Sequence, residues 1–464
     1  MRNSQTLPSR GIARFIAPVL ILIGASWSVT DAQGKTLVVN PQGPITSVAA
    51  AVAQAAAGDL IRIEAGLYTG NLVLDKPLTL EGSGRAIIRG LGRGSVITVL
   101  APGCALRGLI IEHSGGQLID EDSGILVKSS GNLIENNQLR DVLFGIYLFQ
   151  ADDNTVRRNT IRGRGELGLG ERGSGIHIWN SKRNLIADNV ITQMRDGMYL
   201  QYASQSTIRG NRIFDLRYGL HYMNSDDNTF DENIFHDNVA GAAIMYSRRI
   251  RFRRNVFWRN RGFSSYGILF QDCEECWAEE NFILDNATGI FMEALRHSVF
   301  RRNVIAGNDV ALQIFSSVEA NLLVENTFVE NLSPLRLVGR RTTTRWSSEG
   351  RGNFWSDYEG YDLDGDGIGD VPHKIQNVFE YLEGNYPRLR LYLSSPAAQA
   401  LALAEKLFPI LPGSGERDPA PLMKGEPPMA PFAPPRASRH PGLALLSLMM
   451  VATAGIVWTA GRRR

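Results

Sequence analysis

DGMYLQYASQSTIRGNRIFDLR, residues 196–217, and YGLHYMNSDDNTFDENIFHDNV, residues 218–239, decide the fold between them. Laid one under the other, each has Gly at its second position followed by short alternating runs. Each also carries an Asn with an aliphatic or aromatic residue two positions later. The Asn marker recurs at Asn137, Asn159, Asn189, Asn211, Asn233, Asn255, Asn281, Asn303 and Asn326. The Gly marker recurs in phase at Gly124, Gly145, Gly175, Gly197, Gly219, Gly241, Gly267 and Gly289. Two markers on one period, mostly 22 residues, describe a structural repeat.

Runs such as Gly197-Met198-Tyr199-Leu200 and Thr207 to Ile213 are too short for helices and rich in β-formers, so they read as strands. A unit of this size cannot bury its apolar face alone. Units must stack, each strand pairing in parallel with its copy in the next rung. The fold expected is all-β, a right-handed parallel β-helix, with the Asn forming a corner ladder because Asn tolerates left-handed backbone. An Ala-rich stretch from Val48 to Ala57 reads as a short N-terminal capping helix over the first rung. The step from Gly145 to Gly175 is longer, and the excess, Arg162 to Gly170, reads as a loop protruding from one edge.

Working outward to the ends, Arg2, Arg10 and Arg14 precede an apolar run from Phe15 to Trp27 and small residues at Thr30 and Ala32. Residues 1–32 therefore read as a secretory signal peptide, with an uncleaved anchor as the alternative. The β-helix is expected over 33–387, and a short helix with a Pro-rich linker over 388–441. A transmembrane helix at 442–461 ends the chain, its uncharged core Leu443 to Ala460 followed by Arg462, Arg463 and Arg464. The alternative is a buried core helix. The chain is expected in the periplasm, anchored to the inner membrane with a cytoplasmic Arg tail. A net charge of +2 from 49 basic and 47 acidic residues, interspersed, excludes a nucleic-acid footprint. Three cysteines are too few for a disulfide scaffold. Cys273 and Cys276 read most plainly as a local disulfide, with a metal clip or two corner thiols as alternatives.

Strand alternation sends Met198, Leu200, Leu220 and Tyr222 inward and leaves unusual residues outward. One outward column holds Tyr147, His177, Tyr199 and His221; the next holds Phe149, Trp179, Gln201, Met223, Met245, Gln271 and Glu293. Tyr147, His177, Trp179, Tyr199, His221, Met223 and Met245 form a candidate partner-binding face, unless a loop or the C-terminal segment covers it. Within it, imidazole and thioethers at His221, Met223 and Met245 suit a soft ion such as copper(I); simple packing is the competing reading. Asp362-Leu-Asp364-Gly-Asp366-Gly-Ile368-Gly-Asp370 follows the first nine positions of a Ca²⁺ loop, but position 12 is His373, so a structural Asp-Gly turn competes with Ca²⁺. Catalytic residues are not expected. Asp152-Asp153 and Asp226-Asp227 precede Asn-Thr corners, where turn formation accounts for them.

The stretch Gly352-Asn353-Phe354-Trp355-Ser356-Asp357-Tyr358, the loop Asp362 to Asp370, and the segments Ser395 to Pro409, Asp418-Pro419 and Pro421-Leu422-Met423 together resemble the NosD family of periplasmic β-helix proteins. The resemblance spans nearly the whole mature chain. It implies a non-enzymatic accessory protein that works with ABC transporter subunits, nitrous oxide reductase and a copper chaperone, delivering copper or sulfur to the reductase's cluster. The rival reading is a carbohydrate-active lyase or epimerase, which would show a base and cations in a groove; a third is a structural surface protein.

Overall fold

In the computed structural model, residues 34–262, 264–339, 342–375, 400 and 416–425 are described. The expected signal peptide and transmembrane helix lie outside them, as does most of the expected linker. Among the described residues no helix is long and apolar enough to cross a membrane.

The chain winds into a parallel β-solenoid of about 14 turns. Twelve strands, from Leu72–Leu74 through Asp196–Gln201 and Tyr218–Met223 to Ser333–Val338, stack into one parallel sheet. The Gly marker fixes its register: Met198 lies opposite Leu220, Tyr199 opposite His221, and Leu200 opposite Tyr222. The glycines are required by close approach, since a Cβ on Gly219 would meet the Gly241 carbonyl oxygen at 2.5 Å. Two further strands per turn, such as Thr207–Arg209 and Arg212–Phe214, build the remaining walls. The inward residues Ile146, Ile176, Met198, Leu220 and Phe270 are fully or almost fully buried, as alternation requires.

The Asn ladder is present, but for a different reason from the one expected. The left-handed conformation falls on the residue before each ladder Asn: Arg158, Asp188, Gly210, Glu232 and Arg254 all have φ between 53° and 64°. The Asn itself is buried and supplies its amide. Asn233 Oδ1 accepts from Asn211 N at 3.0 Å and from Asn211 Nδ2 at 2.9 Å, while Asn211 Nδ2 also donates to the Ile186 carbonyl at 2.9 Å. Corner backbone groups that no strand partner can reach are thus satisfied from within the core. A second ladder, Asn238, Asn260, Asn286 and Asn308, repeats the device at another corner.

Cys273 and Cys276 are free thiols, so the expected disulfide is not formed. They occupy columns built for small polar groups. Cys273 lies in register with Ser247, and Cys276 N donates to Ser298 Oγ at 2.9 Å.

At the N-terminal end the Ala-rich stretch forms a helix over Val48–Gln54, with Ser47 accepting from Ala50 N at 3.4 Å. Its buried face, Val48, Ala51 and Val52, packs on Thr36–Val39, Leu60–Ile63 and Leu72–Leu74. At the other end, residues 416–425 close the last rung. Asp418 takes the place of the next ladder residue, accepting from Asn353 N at 2.7 Å and Trp355 Nε1 at 3.0 Å. Glu416 accepts from Trp346 Nε1 at 2.8 Å and Thr342 N at 2.9 Å. Two buried carboxylates thereby answer the open edge that stacking leaves behind.

Candidate functional site

The outer surface of the twelve-stranded sheet carries both predicted columns. In the first, Tyr147 and His177 stack at 4.3 Å and 14°, His177 meets Tyr199 edge-on at 4.8 Å, and Tyr199 lies 4.7 Å from His221. In the second, Phe149 stacks on Trp179 at 4.7 Å with the Lys128 ammonium 5.2 Å from the Phe149 ring. Trp179, Tyr199, His221, Met223 and Met245 are half-buried. Tyr147 and His177 correct the expectation of a continuous outward face. Only 3% and 5% exposed, they are covered by Phe144, 5.9 Å from the His177 ring, and by Glu121, whose Oε1 lies 3.8 Å from His177 Nδ1. A loop over part of the face was the competing reading, and for these two residues it holds.

Met223 and Met245 sit in register on adjacent strands. His221 shares their face, but its Nδ1 lies 3.4 Å from Asp196 Oδ2. Asp196 was missed from the sequence. It is fully buried and held by Arg217 through two hydrogen bonds of 2.9 and 2.7 Å, with Arg195 Nε at 3.4 Å. Burial pushes the Asp196 carboxyl up, but hydrogen bonds from His221 and Arg217 outweigh it and hold it below the usual carboxylate range. The available signal was a lone carboxylate in a column otherwise occupied by Ser174 and Tyr218.

The Arg162–Gly170 excess folds back rather than simply protruding. Arg164 reaches Asp141 Oδ1 at 2.8 Å and the Ser114 carbonyl at 2.6 Å. Beneath it lies an open cleft of about 690 Å³ lined by Arg89, Arg140, Arg162 and Arg164 with His113, Glu112, Asp141 and Glu166. Glu112 is clamped by Arg89 at 2.6 Å and Arg140 at 2.7 Å, and Asp141 pairs with His113 at 2.9 Å. The double Asp corners are turns, as read: Asp153 and Asp227 have φ of 58° and 60° and pair with Arg183 and Arg249 of the next rung at 2.7 Å each.

Asp362, Asp364 and Asp366 bring carboxylate oxygens within 4.8 Å of one another. Asp370 stands outside that group, its Oδ2 accepting from Leu363 N at 2.7 Å. His373 is buried against Trp355, ring centroids 5.1 Å apart, and does not serve as a twelfth loop position.

Against known proteins, residues 164–360 match the family model described as periplasmic copper-binding protein (NosD). A Pseudomonas aeruginosa protein named probable ABC transporter binding protein NosD is 36% identical over 375 residues, covering 78% of this chain and 87% of the relative. Its Stutzerimonas stutzeri namesake is 32% identical over 387 residues, 78% and 86% of the two chains. Among solved structures, the mannuronan C-5 epimerase AlgE4 A-module of Azotobacter vinelandii superposes with a TM-score of 0.52 at 15% identity, covering 64% of this chain and 93% of that one. The catalytic domain of an α-1,3-glucanase gives 0.53 at 13% identity, covering 73% and 71%. At these identities the structures share the solenoid fold.

Proposed function

The chain belongs to the NosD family, and from that premise we propose that it is a periplasmic accessory scaffold that docks on an ABC transporter and serves copper–sulfur cluster maturation of nitrous oxide reductase. The observation that carries the reading is the 36% identity across 87% of a relative named as an ABC transporter binding protein. The geometry suits the role. A rod of stacked rungs presents Trp179, Tyr199, Met223 and Met245 on one rigid face, and half-buried aromatic and Met side chains are what protein contacts use. The protein performs no covalent chemistry of its own in this account.

Copper is the cargo in this reading, and Met223 and Met245 are the soft donors placed side by side to meet copper(I), with His221 next to them on the same strand face. Ca²⁺ at Asp362, Asp364 and Asp366 would brace the C-terminal end, and the helix Val48–Gln54 would close the first rung. The 442–461 segment would hold the rod at the inner membrane, where the transporter subunits, the reductase and a copper chaperone meet it.

The test is co-purification of the membrane-extracted chain with transporter subunits, comparing wild type with a Trp179→Ala, Met223→Ala, Met245→Ala variant. His221 is left intact because its removal would unsettle buried Asp196. Loss of co-purification in a folded variant supports docking through this face; retention moves the interface elsewhere. One observation favours a second reading, a uronate lyase or epimerase: four arginines and His113 line a cleft, where they could neutralise carboxylates. Turnover of oligouronates by the purified chain, lost in Arg162→Ala, would support that alternative.

A further inference from the structure

His177 presents a problem that packing alone does not solve. It is 5% exposed, sandwiched between Tyr147 and Tyr199, and neither ring nitrogen has a hydrogen-bond partner. A buried imidazole with both nitrogens unanswered costs the fold one donor and one acceptor. The nearest polar atom is Glu121 Oε1, 3.8 Å from Nδ1. That is too long for a hydrogen bond. It is a fitting separation for a nitrogen and an oxygen that share one cation, because bonds of about 2 Å to each would subtend roughly 135°.

Glu121 is not a stray surface side chain. Its backbone is fixed by Ser123 Oγ, which donates to the Glu121 carbonyl at 2.6 Å, and by its own N donating to Leu118 O at 3.3 Å. The same carboxylate also hydrogen-bonds the buried Tyr147 hydroxyl. Half exposed, Glu121 connects the buried ring to solvent and so offers an entry path.

We propose that His177 and Glu121 form a copper(II) site beneath the docking face, with the Tyr147 hydroxyl supporting the carboxylate and solvent completing the coordination. The donors decide the oxidation state: one imidazole nitrogen and one carboxylate oxygen suit copper(II), whereas the thioethers of Met223 and Met245 suit copper(I). The inference rests on the copper-cargo reading but assigns residues that reading does not use. The two donor sets stand on one sheet face, His177 lying two strands before His221 in the pairing order His177, Tyr199, His221.

The test uses the membrane-extracted full chain titrated with copper(II) and read by electron paramagnetic resonance. Thermal melts without metal check the fold of each variant. The wild type is expected to bind one copper(II) with nitrogen hyperfine splitting from a single imidazole. His177→Phe, which keeps the ring stack, should abolish that splitting and lower affinity by about tenfold or more; Glu121→Gln should lower affinity while keeping the nitrogen signal. Met223→Ala should leave the spectrum unchanged. An unaltered spectrum and affinity in His177→Phe overturns the site. No copper(II) uptake by wild type also overturns it, while leaving transporter docking to stand or fall by co-purification.

Discussion

Asn233 accepts two hydrogen bonds from Asn211 and donates to the Ile208 carbonyl at 2.9 Å and to Asn255 Oδ1 at 3.0 Å. Asn233→Ala strands buried groups on both neighbouring rungs and is expected to cost about 3 kcal/mol, read as a lowered urea midpoint. Asp196→Ala leaves Arg217 facing an empty acceptor and should cost about 3–5 kcal/mol in the same assay. Two titrations act on acid stability. The Asp196 carboxyl is held low in the fold, so its contribution is full above the unfolded value and fades as pH falls through the depressed folded one. Burial drives the His177 imidazole down to about 3. The unfolded chain therefore takes up that proton first, and stability falls as pH drops from about 6.5 toward 3. His177→Phe should flatten the stability profile over that window, while an unchanged slope would contradict the burial described. At this scale the sequence was half legible. Periodicity located every ladder Asn, but propensity assigned it the left-handed role that the preceding Arg, Asp or Glu takes, because a buried amide and a tolerant turn residue leave the same trace in one sequence.

A rung such as residues 196–217 was legible because alternation and a marker Gly leave few ways to pair, and a slip by one residue would turn Met198 and Leu200 outward. The elements that escaped the reading are those without a copy. The Arg162–Gly170 insertion has no counterpart to align with, so nothing in its composition announced that Arg164 would reach back to Asp141 and Ser114. The closing segment is another. Its Asp418 and Glu416 ligate the end of the solenoid from more than sixty residues beyond Asn353 and Trp346. Asp418→Ala should release the Trp355 indole and Asn353, red-shift tryptophan emission, and destabilise the last rung by about 3 kcal/mol with the central rungs unaffected. Gly352→Ala should act similarly, since a Cβ there collides with Asp418 Oδ1.

For the whole molecule, a solenoid's stability is a sum of rungs and neighbouring interfaces, so its faces are free to carry function without disturbing the core. The outer face was foreseen from alternation. Its partial burial was not, because covering depends on Phe144 and the Glu121 loop, which alternation does not register. The central claim is that the chain docks on a transporter through this face. It is tested most directly by photo-crosslinking in membranes, with the crosslinking residue placed at position 179 or 223 and, as the comparison, at exposed position 209 on a different wall. Crosslinks to a transporter subunit from 179 and 223 and none from 209 are the predicted result; crosslinks from 209 alone, or from none of the three, would contradict it.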